Sequence, residues 1–372
     1  MTTQARLELI PAPEEPQRPQ RPPADAADST GFEIGWDHAR HGLVPPPELL
    51  LEGTPIGQGW RAARAVFGRR TLAVQQATRQ WLALRIQAWR SGIAFEGQQL
   101  TPHFLAQLRV THCPVLRTPL GGAPDQPDAA VFERLNPQAA WAAGNVAMMS
   151  RRAAQARDGV DLLETLRRAR RAERAGEPVE GLDAGAWWRL ATLRACATPL
   201  PFHEAARLPL AALPPNRVRL LNPAQGLQAL VTLQFGTPGW SARTRALAAL
   251  LPEHTLRHDF NLFVASIAPR VLEAGPGTAA LRRALEDAWL HERVQRRWQH
   301  FVLSLGEAAT AALLERATAD GLAAVRTVNH PPEQATDGWA LAEGGRAPRL
   351  WRARGPVPRA PAQPGPARPA TC

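Results

Sequence analysis

The sequence predicts a mainly α protein with a small ββα unit and one possible β-hairpin, between disordered termini. Three observations lead there. Apolar residues recur at helical spacing through the middle of the chain, alternating strand-like runs are few and short, and both ends are rich in proline and poor in apolar side chains.

The 372 residues, 45% of them hydrophobic, are enough for two or three domains with a sizeable core. Residues 1–30 are rich in Pro, Ala and Glu and predict a disordered N-terminal segment. Its opening, "MTTQARLELIPAPEEPQRPQRPP", lacks the basic-then-apolar order of a signal peptide. A helical region is expected over 31–111. Within it Val74, Ala77, Trp81, Leu84 and Ala88 fall three or four apart, Leu82, Ile86 and Trp89 widen the face, and Gly92 offers a stop. The tryptophans read as core anchors rather than base-stacking platforms.

A helical domain is expected over 159–335, with helices at Val160–Ala175 and Ala184–Cys196. A long helix capped by Thr278 carries Leu290, Val294, Trp298, Phe301 and Leu305 on one stripe. Inside this domain "RVRLL" (217–221) and "LVTLQFG" (230–236) read as a possible hairpin, because Val231, Leu233 and Phe235 alternate with Thr232 and Gln234. Residues 220–242 carry no charge, but their prolines, glycines and amides argue against a bilayer span. Residues 336–372 predict a disordered Pro- and Arg-rich tail.

The formal net charge of +11 points toward a polyanionic partner. The chain has no Lys and no Tyr, so all 44 basic residues are Arg, which is the residue usage of a GC-rich bacterial genome and discounts that inference. Cys113, Cys196 and Cys372 form no CxxC pair, and so neither a disulfide framework nor a zinc knuckle. The expectation is a cytoplasmic protein with no membrane partner.

The most patterned stretch is residues 112–158. Cys113 to Leu116 reads as a short strand entering a turn-rich loop, and Val131 to Leu135 as a second strand centred on Glu133 and Arg134. "NPQAAWAAGN" reads as a loop and "VAMMSRRAAQAR" as a helix with a basic outer face. This ββα order resembles the phage-type branch of the HNH endonuclease family. "CPVLR", "VFERLNP", "AWAAGNV" and "MMSRRAAQAR" stand where that branch has its "CPVTG", "SLDRID", "GYxxGNV" and "VSxxAN" elements.

The resemblance implies a fold in which one divalent ion sits between a strand carboxylate and a helix ligand, while a base activates water. It places Glu133 at the metal-binding Asp, Arg134 where a base His is common, and Asn145 at the central Asn that ties the loop together, with Gly144 and Trp141 as structural companions. Ala154 falls where the helix ligand belongs, and a methyl group cannot bind a metal. Asn136 replaces a second carboxylate, and Glu at 133 shifts the carboxyl by about a bond length, when errors near 1 Å are costly. The implied cofactor is none, or a weakly bound Mg²⁺ held by Glu133 with His112, His112 then also serving as base; His103 lies upstream.

Arg151, Arg152, Arg157, Arg167 and Arg168 are candidate phosphate contacts around the motif helix, with Arg170, Arg171 and Arg174 further along "TLRRARRAERA"; a solvated helix face explains the same residues. Asp37, His38 and His41 share one helical turn, and His254 and His258 sit four apart beside Asp259, spacings open to a metal but equally to polar turns. Three functions stay open. They are a nucleic-acid-binding protein built on a catalytically impaired HNH-like unit, with DNA as the possible partner, a helical interaction or scaffold protein, and an active metal-dependent nuclease.

Overall fold

The computed structural model describes residues 26–156, 159–275, 277–322 and 335–347, in two compact units. Among them fourteen α-helices, one 3-10 turn and one two-stranded sheet are seen. The expected disorder of 1–30 and 336–372 falls largely outside these residues.

The first unit, residues up to Leu72, contains α1 (Ala26–Arg40), a 3-10 turn at Pro47–Leu49, and α2 (Pro55–Phe67). The two helices touch backbone to backbone. A Cβ on Gly35 would collide with the Ile56 carbonyl, and one on Gly59 with that of Phe32. Thr54 caps α2 by accepting from Gly57 N at 3.1 Å, with Pro55 at the first helical position. Trp36 is buried and meets Phe67 edge-on at 5.4 Å.

The second unit begins with α3 (Gln76–Ser91), which Gly92 ends in the left-handed conformation at φ 64°, and α4 (Pro102–Gln107). Next come β1 (Ala130–Arg134), β2 (Val146–Ser150) and α5 (Arg151–Ala156). The strands pair antiparallel from Ala130 opposite Ser150 to Arg134 opposite Val146. Residues 112–156 therefore hold two strands and then a helix, but with other boundaries than expected. Cys113 to Thr118 is a tight turn, closed by Arg117 N donating to Cys113 O at 2.8 Å and Cys113 N to Thr118 O at 2.8 Å. Pro114 inside the turn has no N–H to give a ladder. "VAMMS", expected to begin the helix, is the second strand. All five of its residues are buried, so no alternation marks it.

Each face of the hairpin has its own core. Val131, Ala147 and Met149 pack with Cys113, Leu135, Ala153, Ala154, Ala169 and Trp187, on the side of α5, α6 (Leu162–Ala175) and α7 (Ala184–Cys196). Phe132, Val146 and Met148 pack with Leu84, Ala88, Leu105 and Trp141, on the side of α3 and α4.

The remaining helices are α8 (Phe202–Ala205), α9 (Pro223–Phe235), α10 (Trp240–Ala249), α11 (His254–Glu273), α12 (Thr278–Ala288), α13 (Glu292–Leu305) and α14 (Glu307–Ala319). The expected hairpin at 217–236 is not there. Residues 217–221 form no regular element, and the second run lies in α9, which Asn222 caps by accepting from Ala224 N at 2.9 Å, with Pro223 at the first position. Nearly every residue of α9 is buried, so its polar side chains do not mark a wet face. Three of them are paired: Gln228 donates to Leu208 O at 2.8 Å, Gln234 to Leu322 O at 2.6 Å, and Trp289 Nε1 to Thr232 Oγ1 at 2.9 Å. The long helix expected from Thr278 is broken between Ala288 and Glu292. Gly277, not Thr278, is the residue flanking its start. Trp289 and Trp298 meet edge-on at 5.2 Å across the break.

Part of the expected tail also folds. Residues 335–347 form a strap on which Trp339 is fully buried, donating Nε1–H to Ala143 O at 3.1 Å and accepting from Ala140 N at 2.7 Å. Ala94 N donates to Gly345 O and Ala347 N to Gly92 O, so the strap ties the end of α3 to the loop between the strands.

Candidate functional site

The loop from Leu135 to Asn145 is organised by one side chain. Asn145, fully buried, accepts from Asn136 N at 2.8 Å through Oδ1, and through Nδ2 donates to Ala140 O at 2.9 Å and Asn136 O at 3.2 Å. Asn136 is buried as well and reaches Ala197 O at 3.1 Å, joining the loop to the end of α7. Gly144 has φ 90°, and a Cβ there would run into the Arg219 side chain, 2.6 Å from its Cδ. Arg219 N donates to Gly144 O at 3.1 Å, and its guanidinium reaches Ala335 O and Gln99 Oε1, at 2.8 and 2.6 Å. Burial lowers the Arg219 pKa from its ordinary value, against the pull of Asp337 and Glu96. Trp141 is buried, with the Arg134 guanidinium 5.8 Å from its ring centre. Arg134 also donates to Pro137 O and Ala139 O, at 2.8 and 2.6 Å, so it serves the loop.

Glu133 lies opposite Ala147, on the sheet face of Val131 and Met149 that the α5 side covers. Ala154 is buried in the core of that side, at the position where the resemblance calls for a helix ligand. His112 is exposed, at 3.0 Å from Thr111 Oγ1, beside Cys113. Cys113 Sγ accepts from Ser150 Oγ at 3.3 Å, which fixes this turn at the Ala130–Ser150 end of the hairpin. Glu133 is three residues along the strand, about 10 Å at 3.4 Å per residue. His103 is on α4, bonded to Gln107 at 2.8 Å, and α4 packs against the opposite sheet face. No group of three or more His, Cys, Asp or Glu side chains is gathered for a metal among the described residues. With a methyl at 154 and both histidines elsewhere, the described residues around Glu133 do not fit Mg²⁺.

The candidate arginines divide by what they touch. Arg168 is committed within the fold: it lies 5.3 Å over the Trp187 ring, with Nε at 3.2 Å from Glu164 and Nη1 at 3.5 Å from Ala156 O. Arg152 is exposed and donates to Gly181 O at 2.7 Å, while Arg151 is half-buried at the start of α5. Arg157 lies outside the described residues. Arg167 is exposed, with a long 3.4 Å pair to Glu164, and Arg170, Arg171 and Arg174 continue its face along α6. Asp161 caps this helix by accepting from Glu164 N at 2.7 Å, and Gly176 ends it.

His254 and His258 are exposed on α11, and Asp259 faces His300 at 3.4 Å. His38 is buried on α1 with Nδ1 at 2.7 Å from Ile34 O. Burial lowers the His41 pKa, only partly offset by Asp37. Cys196 is fully buried, which pushes its thiol up to about 12 and leaves it neutral.

Sequence reasoning missed a clamp at the 113–118 turn. Arg117, at φ 59°, makes a two-pronged pair with Asp287 at 2.8 and 2.9 Å and reaches Glu286 at 3.1 Å. Burial opposes its charge, but these carboxylates still raise its pKa. Glu286, buried on α12, also accepts from Arg282 Nε and Leu213 N, both at 3.0 Å. The partners lie about 170 residues apart in sequence, and no local pattern announces them.

Comparison with known proteins finds no matching family model, no similar curated protein and no similar solved structure. No helix among the described residues is long and apolar enough to cross a membrane.

Proposed function

We propose that this chain is a nucleic-acid-binding protein built on an HNH-like hairpin and helix, with catalysis impaired. The carrying observation is the exposed face of α6, where Arg167, Arg170, Arg171 and Arg174 follow one another on a helix packed behind the Asn145-tied hairpin. Duplex DNA is the expected partner, since a stripe of guanidinium groups matches a row of phosphates. Catalysis is not expected, because Glu133 has a methyl group for a companion at 154.

Fluorescence anisotropy with a labelled duplex tests this reading. Binding should weaken steeply with salt, at a log–log slope of about −0.9 per phosphate contacted. Replacing Arg167, Arg170 and Arg174 with Gln should flatten the slope by up to about 2.7 units for all sequences alike. No binding at low salt sinks the proposal. Plasmid nicking that needs Mg²⁺ and is lost in Glu133→Ala would instead support an active nuclease.

One observation favours the scaffold reading: a cavity of about 380 Å³ walled by Leu162, Leu163, Leu166, Leu200 and Leu208, suited to an apolar anchor from another protein. If DNA binding fails, that cavity becomes the leading site.

A further inference from the structure

We propose that α13 carries a second phosphate-backbone contact, remote in sequence from the hairpin and independent of α6; this rests on the nucleic-acid reading above. Among the described residues, Arg293, Arg296, Arg297 and His300 line a concavity of about 490 Å³. All four are exposed, and at spacings of three and four they share one helix face.

The opposite face is anchored. Val294, Trp298, Phe301, Val302 and Leu305 are buried, and Trp298 stands edge-on to Phe263, Trp289 and Phe301 at 5.4, 5.2 and 6.1 Å. The three guanidinium groups therefore project from a fixed platform, which limits the ordering cost of engaging a ligand.

Intramolecular neutralisation is slight. Arg296 has only Glu292, at 4.0 Å between two largely exposed side chains, and His300 has Asp259 at 3.4 Å. Arg293 and Arg297 make no ion pair among the described residues, unlike Arg168 on α6. Like charges three and four apart on a helix repel one another, and here the fold supplies little to offset them. A row of anions does. The stripe from Arg293 to His300 is about 10 Å long at 1.5 Å per residue, or about three steps along one strand of a B-form duplex at 3.4 Å each. Charge complementarity, with three arginines and a histidine on one exposed face and little acid beside them, singles out a phosphate backbone rather than an apolar protein surface.

The test is a salt titration of duplex binding by the whole protein, compared with Arg293→Gln/Arg297→Gln and with the Lys/Lys pair at the same positions. The Gln pair should flatten the log–log slope by about 1.8 units, equivalent to about 60-fold weaker binding at 0.1 M salt if the curves meet at 1 M. The Lys pair, which keeps both charges, should restore most of it. Both sites are exposed, and unchanged circular dichroism and urea midpoint would confirm an intact fold. If the unaltered protein binds duplex and the Gln pair leaves the slope unchanged, this assignment falls while the α6 proposal stands. If the unaltered protein binds no duplex at 20 mM salt, the nucleic-acid reading itself falls. Binding to phosphatidylserine vesicles that the Gln pair abolishes, with duplex binding untouched, would also overturn the assignment by making the face a lipid contact.

Discussion

Truncation of Asn145 to Ala should cost the protein a large share of its stability, although the residue is one amide within a loop. The substitution removes the acceptor of Asn136 N and a donor to Ala140 O in a region with no access to water; Asn136 O keeps a bond from Ala139 N at 3.2 Å. Two buried backbone groups left without partners cost roughly 1–3 kcal/mol each, so the expected loss is about 4 kcal/mol. In urea, with a slope of ~2–3 kcal/mol per molar, the midpoint followed by tryptophan fluorescence should fall by ~1.3–2 M. Asn216→Ala is the control. Asn216 bonds Gln107 O in an exposed setting, and its loss should matter by no more than ~0.5 kcal/mol. Asn145→Asp sharpens the test, because the carboxylate keeps the bond from Asn136 N but faces two carbonyl oxygens. It should be at least as unstable as the Ala variant at neutral pH and should recover in acid, where the protonated acid can again donate to Ala140 O. A loss below ~1 kcal/mol for Asn145→Ala would refute the idea that this side chain holds the loop.

Gly144→Ala should cost about 2–4 kcal/mol, from strain at φ 90° and the clash with Arg219; adding Arg219→Ala should recover the clash but not the strain, and strict additivity in the denaturation cycle would sink this account. Glu286→Ala should cost about 3 kcal/mol, because three hydrogen bonds, one of them fully buried, converge on its buried carboxylate and Arg117 loses one of its two acids; a thermal midpoint unchanged from wild type would rule it out. Because burial lowers the His41 pKa, the unfolded first unit binds the extra proton below about pH 6.5 while the folded one resists it. Stability of α1 and α2 is thus whole above that pH and falls as pH drops through 6.5 toward the folded value. Hydrogen exchange in these helices at pH 5 and pH 7.5 should show the loss, and His41→Gln should abolish it; equal protection at both would count against it.

Local chemistry in the sequence determined the elements it could mark. Gly92 stops α3, the span of α7 follows from its own apolar pattern, and "GN" before the second strand announces a turn that needs a positive φ and a buried amide. These are short-range effects, written within a few residues of where they act. Tertiary structure decided the rest. Whether "LVTLQF" is a strand or a helix turned on its surroundings: almost wholly buried, with its Gln234 amide paired to the distant Leu322 carbonyl, it loses the wet-and-dry alternation that sequence patterns rely on. "VAMMS" became a strand for the same reason, being buried on both faces. Residues 335–347 looked like the start of a solvated tail, yet Trp339 finds its partner in Ala143, 196 residues away. Which arginines face outward was equally illegible. Arg168 and Arg167 are neighbours of one type in one helix, and only packing lays the first over Trp187 and leaves the second in solvent. A sequence records where charge and apolar surface exist, whereas the partners that bury, pair or expose them come from parts of the chain that meet only in the fold.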